Sequence, residues 1–172
     1  MSCALTQSIS LDCIDAKGGI KEVYFIELAN VSAITEASGV VTAITKTTGS
    51  VFRKYALPKE SSTFSDTWTV SVDNGTSFSA QTLDITAIKL QTNLRNEIML
   101  LGKNNLIAVV VGNNSDAWLL GRTLGINMTT GKGEAGTKLG DKNGYTLAFA
   151  GSEPEMAPYV QAAVITTLQT PG

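Results

Sequence analysis

The chain reads as a mainly β protein, an antiparallel β-sandwich or partly closed barrel with one flanking α-helix and a long projecting hairpin or loop. Three observations predict it. Short apolar runs, several with two-residue alternation, recur along 172 residues and are separated by turns rich in Gly, Asn and Asp. Only residues 90–101 carry helical spacing: Leu90, Leu94, Ile98 and Leu101 recur at steps of four, four and three, which stacks them on one face. A lone amphipathic helix must bury that stripe, and a β-sheet is the one large partner this sequence offers.

The elements follow in order. Residues 21–28 open the pattern, with Val23, Tyr24, Phe25 and Ile26 apolar on both alternating faces, as in a strand covered from two sides. Residues 15–19 supply the turn before it. Residues 40–46 and 51–56 are further strands, and Thr47-Thr48-Gly49-Ser50 between them predicts a hairpin. The interval 32–65 as a whole is poor in bulky groups and rich in Thr, Ser and Ala, with Val51, Phe52, Tyr55, Leu57 and Phe64 as isolated anchors. It cannot build a core alone, and two readings stay open: a long hairpin or loop that packs on another subunit, or an ordinary pair of edge strands.

Trp68, Val70 and Val72 alternate with Thr69 and Ser71 and then meet Asp73-Asn74-Gly75-Thr76. Asn-Gly is the strongest hairpin cue in the chain, because both residues tolerate positive φ. Residues 77–87 return as a strand and lead into the helix. Gly102 stands where a left-handed residue would end that helix, reinforced by Asn104 and Asn105. Residues 106–111, all aliphatic, predict a central strand. Residues 112–116 turn it into 117–124, a hairpin with a loop of about five residues. Gly125 permits a break before 126–130, and the glycine-rich 131–140 reads as a flexible loop. Tyr145, Leu147 and Phe149 alternate with Thr146 and Ala148, and 159–168 is the last expected strand, set off by Pro154 and Pro158. The total is roughly eight to ten strands in a single domain over 1–172.

Composition narrows the function. Charged residues make up 16% of the chain, below the roughly 25% usual in soluble domains, and so thin a charge points to a surface partly hidden in an assembly. A formal charge of −2, with Lys and Arg scattered singly, provides no basic footprint for gripping nucleic acid. No apolar run is long enough to span a bilayer, and no basic segment followed by an apolar one opens the chain, so the expectation is folding in a cytoplasm. Cys3 and Cys13 are the only cysteines and are expected to be reduced thiols, with a bridge between them as the alternative if the chain turns back between their segments. Without histidine they cannot complete a four-ligand Cys/His zinc site.

The absence of histidine also removes Ser-His-Asp and Cys-His catalysis. The run from Gly131 to Gly136 fits G-x-G-x-x-G, but its turn-rich continuation does not start the helix a dinucleotide site needs, and Lys132 precedes Gly133 where a P-loop requires Ser or Thr. Glu153 and Glu155 flank Pro154, a setting that reads as an exposed turn rather than an acid–base pair. Asp141 with Asn143 lacks the further oxygen ligands of a calcium loop. Trp68 and Trp118 read as core or interface anchors. The expectation is a protein that is not an enzyme, with no catalytic, cofactor-binding or metal-ligating residues.

From the Asn74-Gly75 turn onward, the order of features resembles the tail tube proteins of tailed bacteriophages and related contractile injection systems. The residues that carry it are the turn at 74–76, then 83–90 leading into the helix, 106–111, Asp116-Ala117-Trp118-Leu119-Leu120-Gly121, and the stretch from Asp141 to Glu153. They cover about half the chain, and the order of these motifs matters more than any one of them. The resemblance implies a sandwich or barrel with a flanking helix, assembled as homo-hexameric rings that stack into a hollow tube in the virion tail. Subunit sheets would join into one inner barrel, other tail proteins would bind its ends, and DNA would pass without sequence recognition. On this reading Val51, Phe52, Tyr55, Leu57 and Phe64 are candidate interface anchors. Leu90, Leu94, Ile98 and Leu101 are the candidate helix-to-sheet core. Competing readings are the inner tube of an injection device, a capsid-decorating or connector protein, and a carbohydrate-binding β-sandwich.

Overall fold

The computed structural model describes Ser8, Ile9 and residues 16–172; Cys3, Cys13 and Asp15 lie outside the described residues. Along the described chain run β1 (Ile20–Glu27), β2 (Val31–Ala37), β3 (Val40–Lys46), β4 (Arg53–Ala56), β5 (Thr63–Ser71) and β6 (Thr76–Ile88). Helix α1 (Thr92–Leu101) follows, then β7 (Leu106–Gly112), β8 (Ala117–Leu120), β9 (Asn127–Glu134), β10 (Gly144–Glu153), β11 (Tyr159–Val160) and helix α2 (Ala162–Thr167). They build two sheets, a larger one ordered β2-β3-β11-β8-β7-β1-β4 and a smaller one ordered β5-β6-β10-β9. The protein is mainly β and sandwich-like, as its patterning predicts.

Strands apolar on both faces explain the layering. On one face of the larger sheet, Val23, Phe25, Ala108 and Val110 pack with Leu83, Ile85, Leu147 and Phe149 of the smaller sheet. On the other face, Tyr24, Ile26, Ile107 and Val109 pack with Phe52, Val164 and Leu168. β7 is therefore buried along its whole length. A strand with no solvent face has no use for alternation, which is why its sequence is an unbroken aliphatic run.

Several expectations are corrected. Residues 32–65 do not form one excursion. β2 and β3 make a hairpin whose two-residue turn, Ser38 at φ 52° and Gly39 at φ 78°, has the positive angles that match strand twist. β4 lies at the far edge of the same sheet, paired with β1, so Thr47 to Ser50 are not a hairpin turn between β3 and β4. The chain between them crosses the outer side of the sheet, because burying Phe52 against Tyr24 and Leu168 outweighs the local turn signal. The expected last strand keeps only Tyr159 and Val160 as β11, and α2 follows. The expected glycine-rich loop begins as strand, since β9 continues to Glu134 and pairs with β10 from Gly131 to Glu134.

The helix starts at Thr92, two residues later than expected, so Leu90 lies outside it and is 41% exposed. Leu94 is half-buried, while Ile98 and Leu101 are core. Gly102 ends the helix at φ −71°, not in the left-handed region. Space dictates the glycine: a Cβ there would lie 2.7 Å from Met128 Cε.

Candidate functional site

Among the described residues, the smaller sheet is covered on one face only. The inward side chains at its centre, Leu83, Ile85, Leu147 and Phe149, are fully buried, and the alternate positions form an open face. Across it run rows of small groups: Ser65, Thr82 and Ala150 in one, Thr67, Ala80 and Ser152 in the next, Thr86 and Thr146 lower down. Phe78 and Ile88, at the two ends of β6, are its exposed apolar exceptions. Asp84 and Glu134 balance Lys132 and Lys142 around this face, and Glu134 pairs with both lysines. Those lysines hold the Glu134 carboxyl below its ordinary pKa, Lys132 foremost. A face so small and so evenly charged offers nothing for phosphates to grip.

Strand edges left unpaired among the described residues are the second feature. β2 is broken by two register shifts against β3, and β4 has only four residues, both common ways of blunting an edge. β5 is different. It pairs with β6 through nine consecutive residues without a bulge and contains no Lys, Arg or Pro; its one charged group, Asp66, is turned inward onto Ser79 Oγ and the Ala157 N–H. At the opposite edge β9 offers eight residues, with one register shift against β10 at Thr129 and one lysine, Lys132.

The two edges are staggered. β5 lies opposite residues Thr76 to Asp84 of β6, centred on Ala80. Through β10, β9 lies level with Thr82 to Ile88 of β6, centred on Ile85, five residues further along.

Helix α1 closes the side of the sandwich beside β9, with Gly102 against Met128 and Leu90 Cδ2 3.6 Å from where a Cβ of Gly133 would stand. Between α1 and β4 opens a cleft of about 680 Å³. Tyr55 crosses it: the ring packs edge-on against Phe25 at 5.4 Å and the hydroxyl donates to Glu97 Oε1 at 3.2 Å. Burial, then the Glu97 charge, pushes the phenol well above its ordinary pKa of 10.

The candidate anchors are engaged mainly inside their own chain. Phe52 is 1% exposed and offers no surface to a neighbour, a correction that follows from its burial in the outer core. Tyr55, Leu57 and Phe64 are half-buried against the inner core, Phe64 also 4.8 Å from the Trp118 ring, and Val51 lines the cleft.

The turn expected at Glu153 is also corrected. Glu153 is 3% exposed, and its Oε1 accepts the backbone N–H groups of Thr123, Leu124 and Gly125 at 3.1, 2.8 and 3.1 Å. Next to it, Gln81 Oε1 accepts the Gly121 N–H at 2.9 Å. These two side chains hold the segment by which the chain leaves β8 of the larger sheet and enters β9 of the smaller one. Gly121 must be glycine: its φ is +70°, and a Cβ would meet Ile126 N and Leu106 O at 2.7 Å. Glu155 is exposed and pairs with Arg122, which also holds Glu36 of the β2–β3 hairpin.

Among the described residues, no helix is long and apolar enough to cross a membrane, and no group of three or more His, Cys, Asp or Glu side chains is arranged to hold a metal ion. No family model, curated protein or solved structure matches the chain.

Proposed function

We propose that the protein is a structural subunit that assembles, six copies to a ring, into the stacked rings of a hollow phage tail tube, through which DNA passes without being read. The observation that carries this reading is the pairing geometry of the smaller sheet. Its four strands are antiparallel throughout, so β5 and β9 run in opposite directions. Rotation about an axis roughly along the strands preserves those directions, and β5 of one copy then meets β9 of the next as an antiparallel pair.

The stagger supplies the tilt. Side chains of paired residues must share a face, which restricts the offset between the joined edges to even values, four or six around the observed five. Spread over four strands about 4.8 Å apart with a rise of about 3.3 Å per residue, those offsets tilt the strands by roughly 35° or 46°. Closed barrels tilt by about 35–45°. Six such sheets close at about 45–53 Å across the backbone, and an inner wall of Thr, Ser and Ala leaves most of that width open. The balanced charge of the wall suits passage of a polyanion, since a basic lumen would retain it.

Negative-stain microscopy and sedimentation of the purified protein test the reading. Rings and stacks of uniform bore are expected. Monodisperse monomers across the micromolar range contradict it, and glycan binding by such a monomer would favour a carbohydrate-binding sandwich instead.

A further inference from the structure

We propose that an apolar seam outside the tube wall, formed by Trp68, Val70 and Val72 of one copy against Met99 and Met128 of the next, locks the joined strands together. The inference rests on the ring reading above and names the side chains that hold neighbouring copies. Trp68 and Val70 of β5, and Val72 at the start of the turn, alternate onto the core-facing side of the β5–β6 hairpin, and beyond Asp66 and Ser79 nothing among the described residues lies beneath that hairpin. Their exposures are 41%, 59% and 88%. Two alternate apolar side chains at the end of an edge strand, with a third in the turn that follows, make a patch unlike the single exposed apolar groups of ordinary surfaces.

The opposite edge carries a matching patch on the same side of the sheet. Met128, half-buried on the core-facing side of β9, touches the end of α1 at Gly102. Met99, one helical turn earlier on the same face, is 47% exposed. Edge pairing brings the two patches to one level. An offset of four places Trp68 opposite Met128 of the next copy, and an offset of six places Val70 there. A tryptophan inserted beside two pliant methionines is the chemistry of an interface anchor.

Cysteine cross-linking tests this in a Cys3→Ser, Cys13→Ser background. Chains carrying Met99→Cys with either Val70→Cys or Trp68→Cys, oxidised after assembly, are expected to give a ladder of covalent oligomers ending at the ring number. A contact between unlike surfaces propagates around a ring, whereas a contact between like surfaces stops at dimers. Dimers from Val70→Cys alone would mark tip-to-tip packing and overturn the seam. Rings by microscopy with no ladder from either pair would overturn the seam and leave the ring reading standing. Monomers from the otherwise unaltered protein would overturn both. Independently, Val70→Asp is expected to raise the concentration needed for assembly at least about tenfold while leaving the monomer's unfolding transition in place; assembly at the unaltered concentration would contradict the seam.

Discussion

Replacing Glu153 removes the acceptor for three consecutive backbone donors, those of Thr123, Leu124 and Gly125. Each buried donor left without a partner costs about 1–3 kcal/mol. A cavity of about 170 Å³ beside Arg122 and Pro158 lets water reach some of them, which favours the lower end of that range. Glu153→Ala is therefore expected to destabilise the protein by about 3–6 kcal/mol. At about 2–4 °C per kcal/mol for a domain of this size, the melting temperature should fall by roughly 10–20 °C. Glu153→Gln keeps an oxygen in place and loses only the charge, for about 1–3 kcal/mol. Glu155→Gln, on an exposed residue two positions away, should stay within about 0.5 kcal/mol. Urea unfolding of the three variants measures all of this. A Glu153→Ala cost below about 1 kcal/mol, or one no larger than that of Glu155→Gln, would refute the role assigned to the buried carboxylate.

Lys46 Nζ donates to the carbonyls of Thr167, Leu168 and Thr170, ending α2 from across the fold; Lys46→Met should cost roughly 1 kcal/mol, seen as faster amide exchange confined to α2 and its neighbours. Tyr55 is held neutral, with its folded pKa raised above the unfolded value of 10. Its contribution is complete below pH 10 and is lost as pH rises toward the folded value, so the unaltered protein should lose stability above pH 10 faster than Tyr55→Phe does, as thermal melts across that range would show. Thr82→Lys adds a cation to the centre of the open face; assembled tubes of this variant should retain duplex DNA at low salt and release it as salt rises, with none retained by the unaltered tube in a filter-binding assay.

What was legible in the sequence was local. The β5–β6 hairpin follows from Asn74-Gly75, where Gly75 does take φ 63°, and the two-sided burial of β1 and β7 is visible in their unbroken apolar runs. What escaped depends on partners far along the chain. Val164, Ile165, Thr166 and Thr167 have the β-branched character of a strand, yet they fold as α2 because Val164 and Leu168 bury on the larger sheet and Lys46 satisfies the helix end. Glu153 beside Pro154 has the local signature of an exposed turn, and only the donors some 30 residues away make it a buried support. Phe52 reads as a spare anchor until the crossing from β3 to β4 places it in the outer core. The stagger of the open face's edges emerges only from the strand registers.

Tube formation depends on how neighbouring copies join, and a cryo-electron microscopy map of assembled rings reads that directly. It should show β5 of each copy paired antiparallel with β9 of the next, Thr67 lying opposite Thr130 or Lys132, in a closed wall of about 24 strands. Rings joined through β2 or β4, or rings in which β5 keeps a free edge, would contradict it.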